Sequence, residues 1–160
     1  MRALIQRVTS AHVVINDGTK GTIEKTVGPE PSRSIEKGFV ILLGVGENDS
    51  KEQADKLWHK ISRLRIFDDE TGKTNLALAD VAGQVMVVSQ FTLYADCKRG
   101  NRPSFTRAGK PDMACDLYAY FVSLVLRDFG SCAVGEFGAD MSVQLENSGP
   151  FTIWLDTDTL

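Results

Sequence analysis

Histidine, cysteine and recognisable nucleophile motifs are all scarce in this chain, and each scarcity removes a class of chemistry. The 160 residues hold two histidines, His12 and His59, and three cysteines, Cys97, Cys115 and Cys132. The cysteines are odd in number, widely spaced and without a Cys-x-x-Cys pair, so zinc and dithiol redox chemistry lack their ligand spacing and reduced structural thiols are expected. Gly-x-Ser-x-Gly, His-Glu-x-x-His and Gly-x-x-x-x-Gly-Lys do not occur, which disfavours serine-hydrolase, zincin and P-loop functions. No run approaches the ~20 apolar residues of a membrane span. The start, Met1-Arg2-Ala3-Leu4-Ile5-Gln6-Arg7, meets a charge after a brief apolar stretch and lacks the apolar core of a secretory leader. A cytoplasmic protein with no membrane association and no metal is therefore expected.

What is present is an ordinary globular composition, 42% hydrophobic and 24% charged, which argues against disorder. A chain of this length fits one domain over residues 1–160, burying roughly 68–70% of the surface its unfolded form exposes. The net charge of −3 argues against indiscriminate nucleic-acid binding, but the charge is uneven. Lys98, Arg99, Arg102, Arg107 and Lys110 form a stretch without an acid, whereas six acids and no Lys or Arg follow Arg127. Such asymmetry suits a local anionic contact, the plain alternative being a solvated loop.

Periodicity divides the chain into short strands and two helices. Residues 2–15 read as two short strands in a hairpin, and Asp17 to Arg33 as loop with one strand at Thr22 to Val27. Gly38 to Val45 is a continuous apolar run bounded by glycine, the signature of a strand buried on both faces. Ser50-Lys51-Glu52-Gln53 has the spacing of a capping box, and Ala54, Leu57, Trp58, Ile61 and Leu64 follow as a helical stripe. Asp68 to Lys73 reads as a turn leading through a loop to a strand at Val85 to Tyr94. A second helix opens near Pro111, carries Ala114, Leu117, Tyr118, Phe121 and Leu124 on one face, and ends at Gly130. Strands at Cys132 to Phe137, Met141 to Glu146 and Phe151 to Leu155 close the chain. A mixed, strand-rich α/β system with two helices on one side is the expectation.

Side-chain chemistry offers little. His59 falls beside Trp58 on a helix flank, His12 opens a strand, and Asp68-Asp69-Glu70 reads as a solvated turn. Thr92 and Ser89 are the nucleophile candidates, but no His or Lys nearby in sequence offers either of them a base, and threonine is a favoured strand residue.

Two segments carry more information: Ser89-Gln90-Phe91-Thr92-Leu93 after the apolar run Val85 to Val88, and Asn147-Ser148-Gly149-Pro150-Phe151-Thr152 near the C-terminus. With Ile5-Gln6-Arg7-Val8, Leu42-Leu43-Gly44-Val45, Leu64-Arg65-Ile66-Phe67-Asp68 and the whole Ser89 to Phe105 stretch in register, the chain resembles the D-aminoacyl-tRNA deacylase family. The Asp17 to Arg33 segment departs from the pattern, being longer and richer in Gly, Pro and Thr.

The resemblance implies a three-layer α/β/β fold with a barrel-like core and hydrolysis of D-aminoacyl-tRNA, extending to glycyl-tRNA, without a cofactor. It implies that the terminal 2′-hydroxyl of the tRNA assists attack on the ester, while backbone N–H groups around Gln90, Phe91 and Thr92 stabilise the oxyanion. Gly149 and Pro150, within Asn147-x-Gly-Pro-x-Thr152, would form a cis peptide inserted into the partner subunit's pocket to reject L side chains. A homodimer with its active site at the subunit interface follows. Arg7 would lock the carbonyls of the Gly-Pro motif, Ala114 and Phe137 would wall the pocket, and Lys98, Arg99 and Arg102 would steer the tRNA acceptor end. A nucleic-acid-binding module without turnover and an L-alanyl-tRNA editing deacylase stay open as alternatives.

Overall fold

A computed structural model of the protein describes residues 1–16 and 31–160. The strand expected at Thr22 to Val27, and all of the Asp17 to Arg33 segment except its last three residues, lie outside the described residues.

The chain begins with β1 (Arg2–Ile15), one continuous strand where the sequence predicts a hairpin. No Gly, Pro, Asn or Asp stands within residues 2–15 to make a tight turn, and both edges of the strand find partners. Along one edge β1 pairs antiparallel with β3 (Gly38–Gly44) through Arg2 to Val8 and with the short β2 (Ser34–Ile35) at Ala11 and His12. Along the other it pairs with β8 (Met141–Asp156) nearly end to end. The two strands expected at Met141 to Glu146 and Phe151 to Leu155 are thus one, because both halves hydrogen-bond to the same uninterrupted partner.

Beyond β3 the sheet continues in parallel to β6 (Gln84–Ser89) and then β7 (Ala133–Val134). The strand expected at Cys132 to Phe137 shrinks to the two residues that reach β6. A separate hairpin, β4 (Arg65–Asp68) with β5 (Thr74–Ala77), occupies part of what reads from sequence as turn and loop.

Both helices form where their signals stand, except that the first ends at Ile61 and leaves Leu64, read as the last residue of its stripe, outside it. Ser50 caps α1 (Lys51–Ile61) through a complete capping box with Gln53. Pro111 opens α2 (Pro111–Phe129), and Gly130 ends it with φ +73°, a left-handed conformation that glycine adopts without a Cβ clash.

Two cores lie on opposite faces of the central sheet. On one face Ala3, Ile5, Phe39, Ile41, Val85 and Val87 pack beneath the helical stripes of α1 and α2. Trp58 meets Phe121 and Phe129 edge-on at 5.8 and 5.7 Å, and its Nε1 donates to Asp128 Oδ2 at 2.8 Å. On the other face Val40, Met86, Val88 and Ala133 pack against Val8, Ala11, Val13 and Ile35, because the second half of β1 curls over with the first half of β8. Helices, central sheet and curled strands form the three α/β/β layers. Each fully buried aliphatic or aromatic side chain contributes ~1.5–3 kcal/mol to holding them together. No disulfide is formed: Cys97 is exposed, Cys115 half-buried and Cys132 buried.

Candidate active site

The parallel ladder between β3 and β6 ends at Leu43 and Ser89, and the next amide, Gln90 N–H, donates to the Leu43 carbonyl at 2.8 Å. With no further strand to follow, the chain turns into a single 3₁₀ turn, Phe91–Tyr94, where the sequence predicts a continuing strand. The turn packs against a loop that returns from the basic segment, held by Gly109 N–H on the Val45 carbonyl at 2.8 Å and by a bridge between Gly46 and Ala108. Gly46 is required here: a Cβ at this position would lie 2.6 Å from Tyr94 Oη.

Between the turn, this loop and the start of α2 lies a largely apolar cavity of about 490 Å³. Ser89, Gln90, Phe91, Ala114 and Phe137, all expected at the site, line it together. Thr92 stands on the same turn but does not line the cavity, and its Oγ1 accepts from Gln90 Nε2 at 2.5 Å. Among the described residues no histidine or carboxylate bonds to Ser89 or Thr92: His12 is paired with Ser34 and His59 with Arg63. The Gln90 amide, expected to face substrate, is committed to the sheet. The amides that open the turn, Phe91 and Thr92, have no preceding carbonyl within the turn to bond, as at any helix start.

The Gly-Pro segment takes shape as a large bulge in β8. Val8 pairs with Asn147 and Gln6 with Thr152, so Arg7 alone faces the four residues Ser148 to Phe151. Its guanidinium fills the gap. Nε donates to the Ser148 carbonyl at 3.0 Å, Nη1 to the Ile66 carbonyl at 2.6 Å, and the group lies 5.0 Å from the centre of the Phe151 ring. Arg7 is only 8% exposed, an unusual burial for a cation, made possible by these acceptors and by Asp68 at 3.4 Å. Asn147 ties the base of the bulge, its Nδ2 donating to Thr152 Oγ1 at 2.9 Å and its Oδ1 accepting from Phe151 N–H at 2.7 Å. Gly149 has φ +126°, a Cβ there would sit 3.1 Å from Arg7 Nη2, and the Gly149–Pro150 peptide is cis. Both residues are exposed.

Within one chain the structure therefore gathers two groups rather than one. Ser89 to Phe91, Ala114 and Phe137 share the cavity, whereas Arg7 and Asn147 to Thr152 share the bulge, none of them lining that cavity. Lys98, Arg99, Arg102 and Arg107 are exposed, and Lys110 stands in the cavity wall. Among the described residues no cluster of His, Cys, Asp or Glu is placed to hold a metal ion.

Sequence reasoning missed several cavity residues. Phe105 packs edge-on to Phe91 at 5.0 Å, leaving Phe91 58% exposed at the rim. Tyr118, read only as helix stripe, reaches under the cavity to donate from Oη to the Val87 carbonyl at 2.8 Å, and burial raises its phenol well above the ordinary range. The stripe spacing marks Tyr118 as buried; nothing local marks it as cavity floor.

Comparison with known proteins matches this arrangement over nearly its whole length. The family described as D-Tyr-tRNA(Tyr) deacylase matches residues 4–156. A D-aminoacyl-tRNA deacylase from Thermosipho melanesiensis is 48% identical, over 98% of this chain and 97% of its own. One of the same name from Lacticaseibacillus casei is 51% identical over 99% of both chains. The solved structure of a c-Myc DNA unwinding element binding protein superposes with a TM-score of 0.82 at 32% identity, covering 98% of each chain. With the family model matched over nearly the whole chain and relatives about half identical along their full length, the chain belongs to the D-Tyr-tRNA(Tyr) deacylase family.

Proposed function

We propose that this protein hydrolyses D-aminoacyl-tRNA to free D-amino acid and tRNA, and that it does so with backbone groups rather than a catalytic side chain. One observation carries the reading beyond family membership: the cavity is lined by Ser89, Gln90 and Phe91 where β6 gives way to a 3₁₀ turn, with no histidine or carboxylate bonded to Ser89 or Thr92 among the described residues, while a separately braced bulge leaves Gly149 and Pro150 exposed on the same chain.

An aminoacyl ester is already activated, so orientation can do much of the work. Near-attack placement can supply about 7–11 kcal/mol of the barrier. Water adds to the ester carbonyl, assisted by the neighbouring 2′-hydroxyl of the terminal ribose. The amides of Phe91 and Thr92 stabilise the oxyanion, a contact worth roughly 2.7–4 kcal/mol where one such donor has been removed elsewhere. The bond from the carbonyl carbon to the ribose 3′ oxygen then breaks, and that oxygen takes up a proton.

Selection of chirality falls to Gly149 and Pro150 of a second copy. Inserted into the cavity mouth, they hold the substrate's α-amino group and leave space for a D side chain or for glycine, while an L side chain clashes with backbone. A partly exposed apolar row supports the dimer: Leu42, Leu4 and Trp154 face one another across β3, β1 and β8, with Leu42 and Leu4 half-buried and Trp154 47% exposed. Lys98, Arg99, Arg102 and Lys110 hold the phosphates of the tRNA end.

Parallel hydrolysis of D-tyrosyl-, L-tyrosyl- and glycyl-tRNA by EDTA-treated protein tests the proposal. Loss of the D-ester with the L-ester intact is expected. Tight tRNA binding with no hydrolysis of any ester would replace this reading with that of a binding module, and preferential loss of the L-ester would reverse the chirality assignment.

A further inference from the structure

Arg2 is the second residue of β1 and has no part in the cavity, yet its guanidinium joins three elements. Nε donates to Asp156 Oδ2 at 2.8 Å, directly across the β1–β8 ladder. Nη1 donates to the Leu93 carbonyl at 3.0 Å. The planar group lies 4.3 Å from the centre of the Tyr94 ring and 5.6 Å from that of Trp154. Leu93 and Tyr94 are the last two residues of the 3₁₀ turn that opens with Phe91, a cavity-lining residue, and Thr92.

A four-residue turn has few internal bonds, and the carbonyls at its end have no partner inside it. Arg2 supplies one, and its flat cation stacked on Tyr94 fixes the ring behind. Tyr94 is held from the other side too, its Oη 3.3 Å from Asp49 Oδ2, the same carboxylate oxygen that accepts Gly46 N–H at 2.6 Å. The turn is therefore clamped at its C-terminal end by groups that belong to β1, β8 and the loop before α1.

We propose that Arg2 is a positioning residue for hydrolysis: by holding Leu93 and Tyr94 it sets the direction of the Phe91 and Thr92 amides. The inference rests on the function proposed above. Its consequence is that loss of Arg2 lowers the rate of the chemical step in molecules that are folded and bind tRNA normally. A tie between β1 and β8 alone would instead change stability and leave turnover per folded molecule untouched.

Three variants separate the two roles: Arg2→Met, which keeps the apolar stem but neither donor; Arg2→Lys, which can reach Leu93 or Asp156 but cannot bridge them; and Asp156→Asn, which removes the ion pair and leaves the Leu93 contact. Melting temperature, kcat and KM on D-tyrosyl-tRNA are measured for each. Arg2→Met is expected to lower kcat about 10- to 100-fold, the scale of a misplacement near 1 Å, with KM within about twofold. Arg2→Lys should recover part of that loss, and Asp156→Asn should keep near wild-type kcat whatever its melting temperature. Wild-type kcat in Arg2→Met, or equal losses in Arg2→Met and Asp156→Asn, would overturn the proposal. If Arg2→Met does not fold, Arg2→Lys decides by the same kcat criterion. A wild-type protein that hydrolyses no D-ester overturns the functional reading and this inference with it, whereas an active wild-type with an unaffected Arg2 variant overturns only the latter.

Discussion

On the proposed reading, the hydroxyls that look nucleophilic have no base beside them, and the residues at the site act by placing backbone. Thr92 illustrates the first point. Its hydroxyl accepts from Gln90 Nε2 and touches no base, so Thr92→Ala and Ser89→Ala are each expected to lower kcat less than about tenfold, whereas loss of a true nucleophile costs on the order of 10⁶-fold. Single-turnover rates on D-tyrosyl-tRNA distinguish the outcomes, and abolished turnover in a folded variant would restore the side-chain mechanism. Arg7 illustrates the second. Removing it strips the Ser148 and Ile66 carbonyls of a buried cationic donor, a loss of about 1–3 kcal/mol per unsatisfied group, and frees the bulge. Arg7→Ala is expected to narrow the ratio of D- to L-tyrosyl-tRNA hydrolysis before it weakens tRNA binding; a variant that rejects L-esters as well as wild type would exclude the role.

At the scale of elements, legibility follows how local the determining interactions are. The helices were plain because capping box, stripe and C-terminal glycine all lie within a few residues of one another. β3 was plain because burial on both faces leaves an unbroken apolar run. By contrast, the continuity of β1 and β8 depends on each finding the other some 140 residues away, and the turn at Phe91 begins only because β3 stops offering a partner after Leu43. The β4–β5 hairpin is too short for its pattern to stand out from turn chemistry. Of the cavity, the Ser89 to Phe91 edge was legible through its motif, while Phe105 and Tyr118 carry no local sign of facing it. The exposed basic element between Lys98 and Lys110 gives an electrostatic test. Neutralising Lys98, Arg99 and Arg102 together is expected to weaken tRNA binding and reduce the slope of log K against log salt by about 2–3. Fluorescence titrations at several salt concentrations measure both, and an unchanged slope would remove these residues from the interface.

On the proposed reading, one copy of the molecule presents a cavity without its selector and a selector without its cavity. Folding of one chain brackets the Gly-Pro bulge with Arg7 and Asn147, leaves Gly149 and Pro150 in solvent, and leaves Trp154 exposed at the end of a row with the half-buried Leu4 and Leu42. Two copies related by a twofold axis would complete two sites at once, since a closed symmetric pair buries the same surface on both. Complementation by mixed subunits tests this most directly. A cavity-filling Ala114→Phe subunit and a bulge-distorting Gly149→Ala subunit are each assayed alone on D-tyrosyl-tRNA, then unfolded and refolded together in equal amounts. Both are expected to be impaired alone, and the mixture should regain about a quarter of the wild-type sites, because half of the dimers are mixed and each mixed dimer holds one site with both parts intact. Activity no greater than the average of the two variants would contradict a site built from the cavity of one copy and the bulge of another.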